Sequence, residues 1–196
     1  MSTTIKLSSN IIRAALLHAA VKDVRYYLGG VLLEPSSNGL FIVATDGHRM
    51  LVHRDYTVTS LEQPTIIPTE LLKVVKSSHD AVEIIVDGDK LTVTPFKKGK
   101  ADLTVSGSRI DGRFPDWRRI VPTVKADAAP GIVDARYAHD AAEALRLMAG
   151  DANPVWAPRW ADGGIALMTR DAAPHTFVVV MDMRETVGTA YVRALI

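Results

Sequence analysis

The chain has 196 residues, of which 47% are hydrophobic and 23% charged, with no cysteine and a net charge of +1. This composition is typical of a globular protein and excludes a disordered chain, a disulfide scaffold and a cysteine metal site. No apolar run approaches the roughly 18 residues of a membrane span and the N-terminus lacks a secretory signal, so we expect a soluble, cytoplasmic protein.

The period of the apolar residues changes several times within the first 60 residues. Residues 4–7 predict a strand, and Ser8 or Ser9 predicts the start of a helix that continues to about residue 22. Hairpin turns are expected at 36–39 and 46–47, where Asn, Asp and Gly cluster. They separate three predicted strands, at 25–34, 40–45 and 49–56.

The same order of elements recurs in residues 61–122. A strand at 65–67 is followed by a helix that Pro68 opens and that continues to about residue 78. Asp87-Gly88 is a strong hairpin signal. The predicted strands are 81–86, 90–96 and 101–110, and residues 112–122 are irregular.

A third round begins after a linker at 124–130. A strand at 131–133 precedes a helix at 135–149, which Asp134 caps and Gly150 ends. Three strands follow, at 154–161, 165–170 and 176–183. Short hairpin links favour antiparallel sheets, so we predict an α+β protein of three strand–helix–three-strand repeats. A lone repeat would expose an apolar face and needs a partner repeat.

Basic side chains lie on the polar face of each predicted helix. They are Arg13 and Lys22, with His18, on the first helix, Lys73 and Lys76 on the second, and Arg136 and Arg146 on the third, where Glu143 lies among them. Such faces are usually solvated. The alternative is contact with a phosphate backbone, which would touch DNA without reading its sequence.

The sequence offers no enzyme signature. It contains no glycine-rich phosphate loop, no metal-ligand spacing and no nucleophile elbow. We therefore predict a non-catalytic protein without cofactor or metal.

Three segments are more particular than a scaffold requires. They read DVRYYL at 23–28, ATDGHRM at 44–50 and DGRFPDWRRIVP at 111–122. Turn chemistry explains their Asp, Gly and Pro residues. It does not explain His48-Arg49 after the turn, or Arg118-Arg119 beside Trp117.

With these segments the sequence resembles the bacterial DNA polymerase III β subunit family, the replicative sliding clamp, over about residues 4–122. A weaker similarity to the family's last domain covers 134–147 and 176–184. The resemblance implies a DNA clamp fold with helices inside and antiparallel sheets outside, and a processivity factor of DNA polymerase. It implies a complete clamp domain at 1–122, with repeats at about 1–60 and 61–122, and a half domain at 123–196 with a tail from residue 185.

The resemblance also implies a cleft that binds short client peptides, a Gln followed by hydrophobic residues. Carried over by motif, its residues are Arg25, Tyr27, Leu28, Thr45, Gly47, His48, Arg49, Met50, Pro115, Arg119, Ile120, Tyr137, Val179, Val180, Met181, Met183 and Arg184. Three positions depart from the family pattern. Met50 replaces a Leu, Trp117 a Tyr and Asp182 a Pro, which places a charge near the cleft rim.

The implied partners are duplex DNA, bound without sequence specificity, client proteins such as DNA polymerase, clamp loader and repair proteins, and other copies of the chain; no membrane partner is expected. Family rings have twelve repeats and this chain has three, so we expect a tetramer, with a dimer as the smaller possibility. Third repeats would pair with each other, and first repeats would close the ring. The alternatives are a peptide-binding module of phage or mobile-element type that forms no ring and regulates replication clients, and a clamp-derived scaffold.

Overall fold

The computed structural model describes residues 2–58 and 61–183, in which the strands form two antiparallel sheets. The five-stranded sheet has the order β1-β6-β7-β8, with β9 also paired to β7. Its strands are β1 (Thr3–Ser8), β6 (Ala81–Asp87), β7 (Lys90–Lys97), β8 (Lys100–Ala101) and β9 (Val105–Ser108). The seven-stranded sheet has the order β10-β11-β12-β4-β3-β2-β5. Its strands are β2 (Gly30–Ser36), β3 (Gly39–Thr45), β4 (Arg49–Asp55), β5 (Thr65–Pro68), β10 (Arg159–Ala161), β11 (Ile165–Thr169) and β12 (Thr176–Val180).

The first two repeats exchange their leading strands. β1 belongs to the first repeat but pairs with β6 of the second, from Thr3 opposite Val86 to Ser8 opposite Ala81. In return β5 of the second repeat pairs with β2 of the first. Each leading strand therefore completes the neighbouring repeat's sheet, which explains why one repeat alone is insufficient.

The third repeat adds its sheet to that of the first repeat. β12 pairs antiparallel with β4, from Thr176 opposite His53 to Val180 opposite Arg49. The outer edge of the first repeat is thus occupied within the chain, and the expectation that first repeats close an assembly is wrong. The domains predicted at 1–122 and 123–196 share the seven-stranded sheet through this pairing, and the boundary between them stays a prediction.

The described part of the chain contains three α-helices, α1 (Ser9–Leu16), α2 (Thr69–Leu72) and α3 (Ala135–Ala149). α3 is confirmed in full, with Asp134 accepting the Arg136 N–H at 2.8 Å and Gly150 in the left-handed conformation. α1 ends earlier than predicted, because the Ala20 N–H bonds the Leu28 carbonyl. Tertiary contacts therefore override the helical pattern at this end.

α2 is also shorter than the predicted helix to residue 78. The Lys76 N–H donates to Nδ1 of His79 at 2.9 Å instead of continuing a helical ladder. Residues 73–79 form turns, with Val75 bonded back to Leu72 and His79 to Lys76. A local imidazole acceptor competes here with the helix.

Several strands differ from their predicted bounds. Within 25–34, Tyr26–Leu28 form a 3₁₀ turn and the strand begins at Gly30. The segment 101–110 is divided between β8 and β9, and 154–161 is a strand only from Arg159. Residues 131–133 form no strand, since both backbone groups of Ile132 bond residues 182 and 183.

The hydrophobic core has two parts, one on each face of the seven-stranded sheet. The helix-facing part joins α1 and α3 to both sheets and includes Ile12, Ile42, Ile84 and Leu145. On the opposite face of the seven-stranded sheet, segments 20–28 and 110–117 cover a second cluster that includes Leu28, Met50, Phe114 and Trp117. Sheets lie on one side and helices on the other, so the predicted α+β clamp arrangement is confirmed.

His18 is an exception to the predicted polar face of α1. Its side chain is fully buried behind α1, and its Nδ1 lies 3.1 Å from the Ala14 carbonyl oxygen. None of the helices in 2–58 and 61–183 is long and apolar enough to cross a membrane.

Candidate functional site

The turn between β3 and β4 is held by side chains of its own residues. Thr45 Oγ1 accepts the Gly47 N–H at 3.0 Å and donates to the Arg49 carbonyl at 2.7 Å. Asp46 Oδ1 accepts the N–H groups of His48 and Arg49. These bonds fix the turn, and Gly47 and His48 remain exposed at its tip.

Arg25 holds the tip of this turn from outside. Its guanidinium pairs with Asp23 at 2.6 Å and donates to the Asp46 carbonyl at 3.0 Å. Gly47 has φ of +91°, and a Cβ there would lie 2.7 Å from an Arg25 guanidinium nitrogen. The close approach and the positive φ together account for a glycine at this position.

Arg49 connects the turn to the third repeat. It pairs with Asp46 at 3.1 Å and with Asp140 on α3, and its guanidinium carbon lies 4.7 Å from the Tyr137 ring centroid. His48 stacks on the same ring at a centroid distance of 6.0 Å. The Arg49 side chain is only 12% exposed, so it is a structural tie between the repeats.

A hollow of about 520 Å³ lies where this turn, the start of α3 and the residues after β12 meet. The Met181 N–H donates to the His48 carbonyl at 2.8 Å and sets the third wall. The lining residues are Gly47, His48, Asp134, Arg136, Tyr137, Met181, Asp182 and Met183. Five of them were predicted from the resemblance, although they come from three distant parts of the chain.

The buried residues of the second cluster support the hollow from below. Leu28, Met50 and Val179 are at most 2% exposed and belong to one cluster, against which Tyr27 and Met181 pack. These predicted site residues therefore position the wall and are not themselves accessible to a ligand.

The remaining predicted cleft residues lie elsewhere. Pro115 lines a second hollow of about 350 Å³ with Phe114 and Trp117, and Arg119 and Ile120 are exposed on the neighbouring 3₁₀ turn Trp117–Ile120. Val180 packs in the helix-facing core, on the opposite strand face from Val179, so its side chain does not line the hollow. Arg184 lies outside the described residues.

Sequence reasoning missed Asp134, Arg136 and Asp140 as site residues. Asp134 was predicted only as a helix cap and Arg136 as a DNA-facing residue, and both line the hollow. Asp140 holds Arg49 across 91 residues of sequence. The sequence could have indicated Asp134 as well. It caps the helix whose first turn contains Tyr137, and Tyr137 was already predicted to lie in the cleft.

Asp182, which the resemblance places near the cleft rim, is one of the residues that line the hollow. Its Oδ1 accepts the Ile132 N–H at 2.7 Å, and the Met183 N–H donates to the Ile132 carbonyl at 2.6 Å. The carboxylate thus orders the backbone around the hollow.

The predicted DNA-facing residues are partly neutralised by nearby acids. Arg146 makes two bonds to Glu143, at 2.6 and 2.7 Å, and Lys73 lies 3.9 Å from Glu70. Arg13 donates to Asn10 Oδ1 and Lys76 is exposed, but Lys22 lies beyond the end of α1, in the segment 20–28 that covers the opposite face of the seven-stranded sheet, so its predicted place on the helix face is wrong. α1 and α3 lie side by side, joined by Asn10 Nδ2 and the Leu147 carbonyl at 3.1 Å.

The charges around the hollow are arranged in pairs. Hydrogen bonds from Arg136 lower the pKa of Asp134 to about 2, and those from Arg25 lower the pKa of Asp23 to about 2. Burial alone would raise the pKa of Asp140, but hydrogen bonds from Arg49 and His139 outweigh it, so the pKa lies below its ordinary value. In 2–58 and 61–183, no three His, Asp or Glu side chains cluster in a way that could hold a metal ion.

Comparison with known proteins identifies similar sequences. Residues 4–116 match the family described as DNA polymerase III beta subunit, central domain. The beta sliding clamp of Escherichia coli K12 is 31% identical over 117 residues, which cover 57% of this chain and 31% of that protein. The beta sliding clamp of Pseudomonas putida is 33% identical over 109 residues, or 53% of this chain and 28% of that protein. The chain thus spans about a third of these relatives.

Solved structures show the same fold over a longer part of the chain. The sliding clamp of Bartonella birtlesii matches with a TM-score of 0.68 at 16% identity, covering 93% of this chain and 66% of that one. The DNA polymerase sliding clamp of Caulobacter crescentus matches with a TM-score of 0.64 at 19% identity, covering 94% and 66%. The third repeat is included, although the family match ends at residue 116.

Proposed function

The chain belongs to the family of the DNA polymerase III beta subunit, and from this premise we propose that its hollow binds short client peptides of DNA polymerases and repair proteins. The observation that carries the proposal is the convergence of Gly47-His48, Tyr137 and Met181 on one hollow. The expected ligand is an extended segment with a Gln followed by hydrophobic residues. Its action is binding without catalysis, in the cytoplasm.

The chemistry of the hollow suits such a segment. Met181 and Met183 offer flexible apolar contacts, and the stacked rings of His48 and Tyr137 offer a flat apolar wall. The exposed Arg136 can bond peptide carbonyls or a glutamine side chain. A hollow of about 520 Å³ accommodates a few side chains of a peptide and not a folded domain.

The test is the affinity of a fluorescently labelled peptide of this type, measured by anisotropy. Met181→Ala and His48→Ala should each weaken binding by about 1–3 kcal/mol, or roughly 5- to 150-fold. Arg49 is not a suitable test position, because removing it frees Asp140 and displaces α3. Unchanged affinity in both variants would place the peptide elsewhere.

Two matched controls come from α3. His139→Ala removes an exposed histidine outside the hollow lining, and Met148→Ala removes a partly buried methionine near the other end of the helix. Met148 is eleven residues beyond Tyr137, or roughly 16 Å along the helix axis. Both controls should leave peptide affinity within about twofold, since neither position lines the hollow.

We propose further that copies of the chain close into a ring around duplex DNA, with the tetramer as the expected assembly. The side-by-side placement of α1 and α3 on one side of the sheets supports this function, as does the exposure of Lys73 and Lys76. Contacts of this kind would be weak per chain and sensitive to salt. Retention on circular DNA with loss from linear DNA would support encirclement, and equal loss from both would contradict it.

One observation favours a peptide-binding module that forms no ring. The linker lies along the edge of β10, with Val124 bridged to Ala161 and the Lys125 N–H donating to the Trp160 carbonyl at 3.1 Å. β10 corresponds to β2, whose equivalent edge receives β5 of another repeat. A third repeat whose edge is covered by its own linker has less need of a partner, and a mass below that of a tetramer with intact peptide binding would support this alternative.

A further inference from the structure

Two of the three strands that end a repeat pair with each other, and the third has an open edge. β4, β9 and β12 end the strand series of the first, second and third repeats. β4 and β12 pair antiparallel with each other, so two last strands meet at the boundary between the first and third repeats. β9 pairs with β7 on one side, and within residues 2–58 and 61–183 no strand pairs with its other side.

Other edges of the sheets are covered or charged. The Ile110 N–H donates to the Ile66 carbonyl on β5 at 3.0 Å, and the linker covers β10. β1 carries Lys6, which is paired with Glu83. β9 has the sequence Val-Ser-Gly-Ser, with neither charge nor proline, the two residue types that usually protect a sheet edge.

We propose that this edge is a self-association surface, on which β9 pairs antiparallel with β9 of a second copy. Pairing of like strands gives a two-fold, isologous contact, which closes after two chains. The partner is a second copy because the remaining last strands of the chain, β4 and β12, are already paired with each other. This inference does not depend on the peptide hollow, which lies at the β3–β4 turn of the seven-stranded sheet, whereas β9 belongs to the five-stranded sheet.

The backbone of β9 presents the groups that such pairing needs. The Arg109 N–H donates toward β7, to the Asp89 carbonyl at 2.8 Å, and Ser108 lies opposite Lys90. Because successive residues of a strand point their N–H groups to opposite sides, those of Ser106 and Ser108 point to the open edge. The side chains of both serines are small and exposed, so a second strand can approach closely.

The residues that flank β9 are compatible with the approach of a second copy. Leu103, just before the strand, is 66% exposed, and the Asp102 side chain is 58% exposed. Asp102 lies 2.9 Å from His79 and Arg109 lies 2.7 Å from Asp89, so the charges that flank β9 are paired within each copy and do not oppose its approach to a second copy. The pairing would also cover Leu103, an apolar side chain left in solvent in the single chain.

The test is the solution mass of the full chain by light scattering over micromolar concentrations, with Ser106→Pro and Ser106→Ala compared. We expect the wild type to have an even number of chains and Ser106→Pro to halve its mass, because proline removes the outward N–H without breaking a bond to β7. Ser106→Ala keeps the N–H and should keep the wild-type mass. A monomeric wild type, or an unchanged mass in Ser106→Pro, overturns the inference.

A second experiment keeps the inference testable if Ser106→Pro fails to fold. The chain has no cysteine, so Ser106→Cys and Ser108→Cys each introduce a single thiol. A two-fold axis at Ser106 or Ser108 places that residue opposite its own copy, and an axis at Gly107 places Ser106 of one chain opposite Ser108 of the other. Mild oxidation should therefore give a covalent dimer in one of the two variants alone or in their equimolar mixture. Thr94→Cys, on β7 away from the open edge, is the matched control and should remain uncrosslinked. Equal crosslinking in all three variants, or none in the two edge variants and in their mixture, contradicts the pairing.

Discussion

The two sheets differ most at corresponding positions on the face turned away from the helices. In the β2–β3 hairpin Leu32 lies opposite Val43, and in the β6–β7 hairpin Glu83 lies opposite Thr94. The two pairs lie at the same distance from the turn of their hairpin, so Leu32 corresponds to Glu83 and Val43 to Thr94. Leu32 and Val43 are buried, whereas Glu83 and Thr94 are partly exposed. One sheet is therefore covered on both faces and the other on one.

The cover of the seven-stranded sheet comes from two of the three family motifs. Leu28 of the first motif and Phe114 and Trp117 of the third fill the second core cluster. Trp117 Nε1 donates to Glu34 at 3.0 Å, and Arg118 pairs with the same carboxylate at 2.9 Å. Much of each motif thus serves packing, and the hollow forms where this covered sheet meets the third repeat.

The largest expected difference between the sheets is at Leu32 and Glu83. Leu32→Ala should lower the free energy of unfolding by about 3–4 kcal/mol, because it leaves a cavity beneath Phe114 and Trp117. Glu83→Ala removes only a pair with the exposed Lys6 and should cost at most about 0.5 kcal/mol. Urea denaturation of both variants measures the difference, and similar losses would mean that the cover contributes little.

The next effect is at the hairpin glycines. Gly39 has φ of +137°, and a Cβ there would lie 2.3 Å from the Asp55 carbonyl oxygen. Gly88 has φ of +61° and open space around it. Gly39→Ala should cost about 2–3 kcal/mol and Gly88→Ala about 1 kcal/mol in urea denaturation. A larger loss of stability in Gly88→Ala than in Gly39→Ala would show that the backbone around Gly39 shifts at little cost in free energy.

Sequence predicted the local features of both sheets and missed the long-range ones. The Gly88 hairpin and α3 with its two ends follow from residues close in sequence, and both were confirmed. The Tyr, Val and Leu residues of 25–34 suggested one strand, but Leu28 turns into the second cluster and a 3₁₀ turn forms instead. The end of α1 depends on a bond to Leu28, which no local pattern reveals.

The site was predicted to a similar extent. Motif resemblance predicted His48, Tyr137 and Met181 from recognisable segments, and the structure brings these three residues to one hollow. It could not separate ligand-facing from buried residues, since the strand period that sets Val179 apart from Val180 was not applied. Asp140 has no motif, and its role depends entirely on where α3 packs.

Acid stability should also distinguish the two sheets. Burial lowers the pKa of His18 and of His53 to about 4, so the folded state keeps both neutral while the unfolded state protonates them below about 6.5. Stability present above pH 6.5 is therefore lost as the pH falls toward 4, by about 2–3 kcal/mol for His18 at pH 4.5. Urea denaturation at pH 7, 5.5 and 4.5 measures this loss.

The five-stranded sheet should respond only at lower pH. A hydrogen bond from His79 lowers the pKa of Asp102, so its contribution is present above the ordinary aspartate pKa and disappears only as the pH falls through the lowered value. His18→Gln should reduce the loss between pH 6.5 and 4.5, whereas Asp102→Asn should leave the slope in that range unchanged. An unaltered slope in His18→Gln would show that other groups govern acid unfolding.

The smallest difference is expected from exchanging the hydroxyl between Val43 and Thr94. Val43→Thr buries a hydroxyl at a fully buried position and should cost about 1–2 kcal/mol, since its loss of water is not fully compensated. Thr94→Val loses a 3.0 Å contact with the Thr104 hydroxyl at an exposed position and should change stability by less than about 0.5 kcal/mol. The side chains are nearly equal in shape, so the two costs compare the environments directly. Equal losses of unfolding free energy in urea would mean that water is excluded equally from the outer faces of both sheets. The presence of the motif segments over the seven-stranded sheet would then not be explained by their exclusion of water from it.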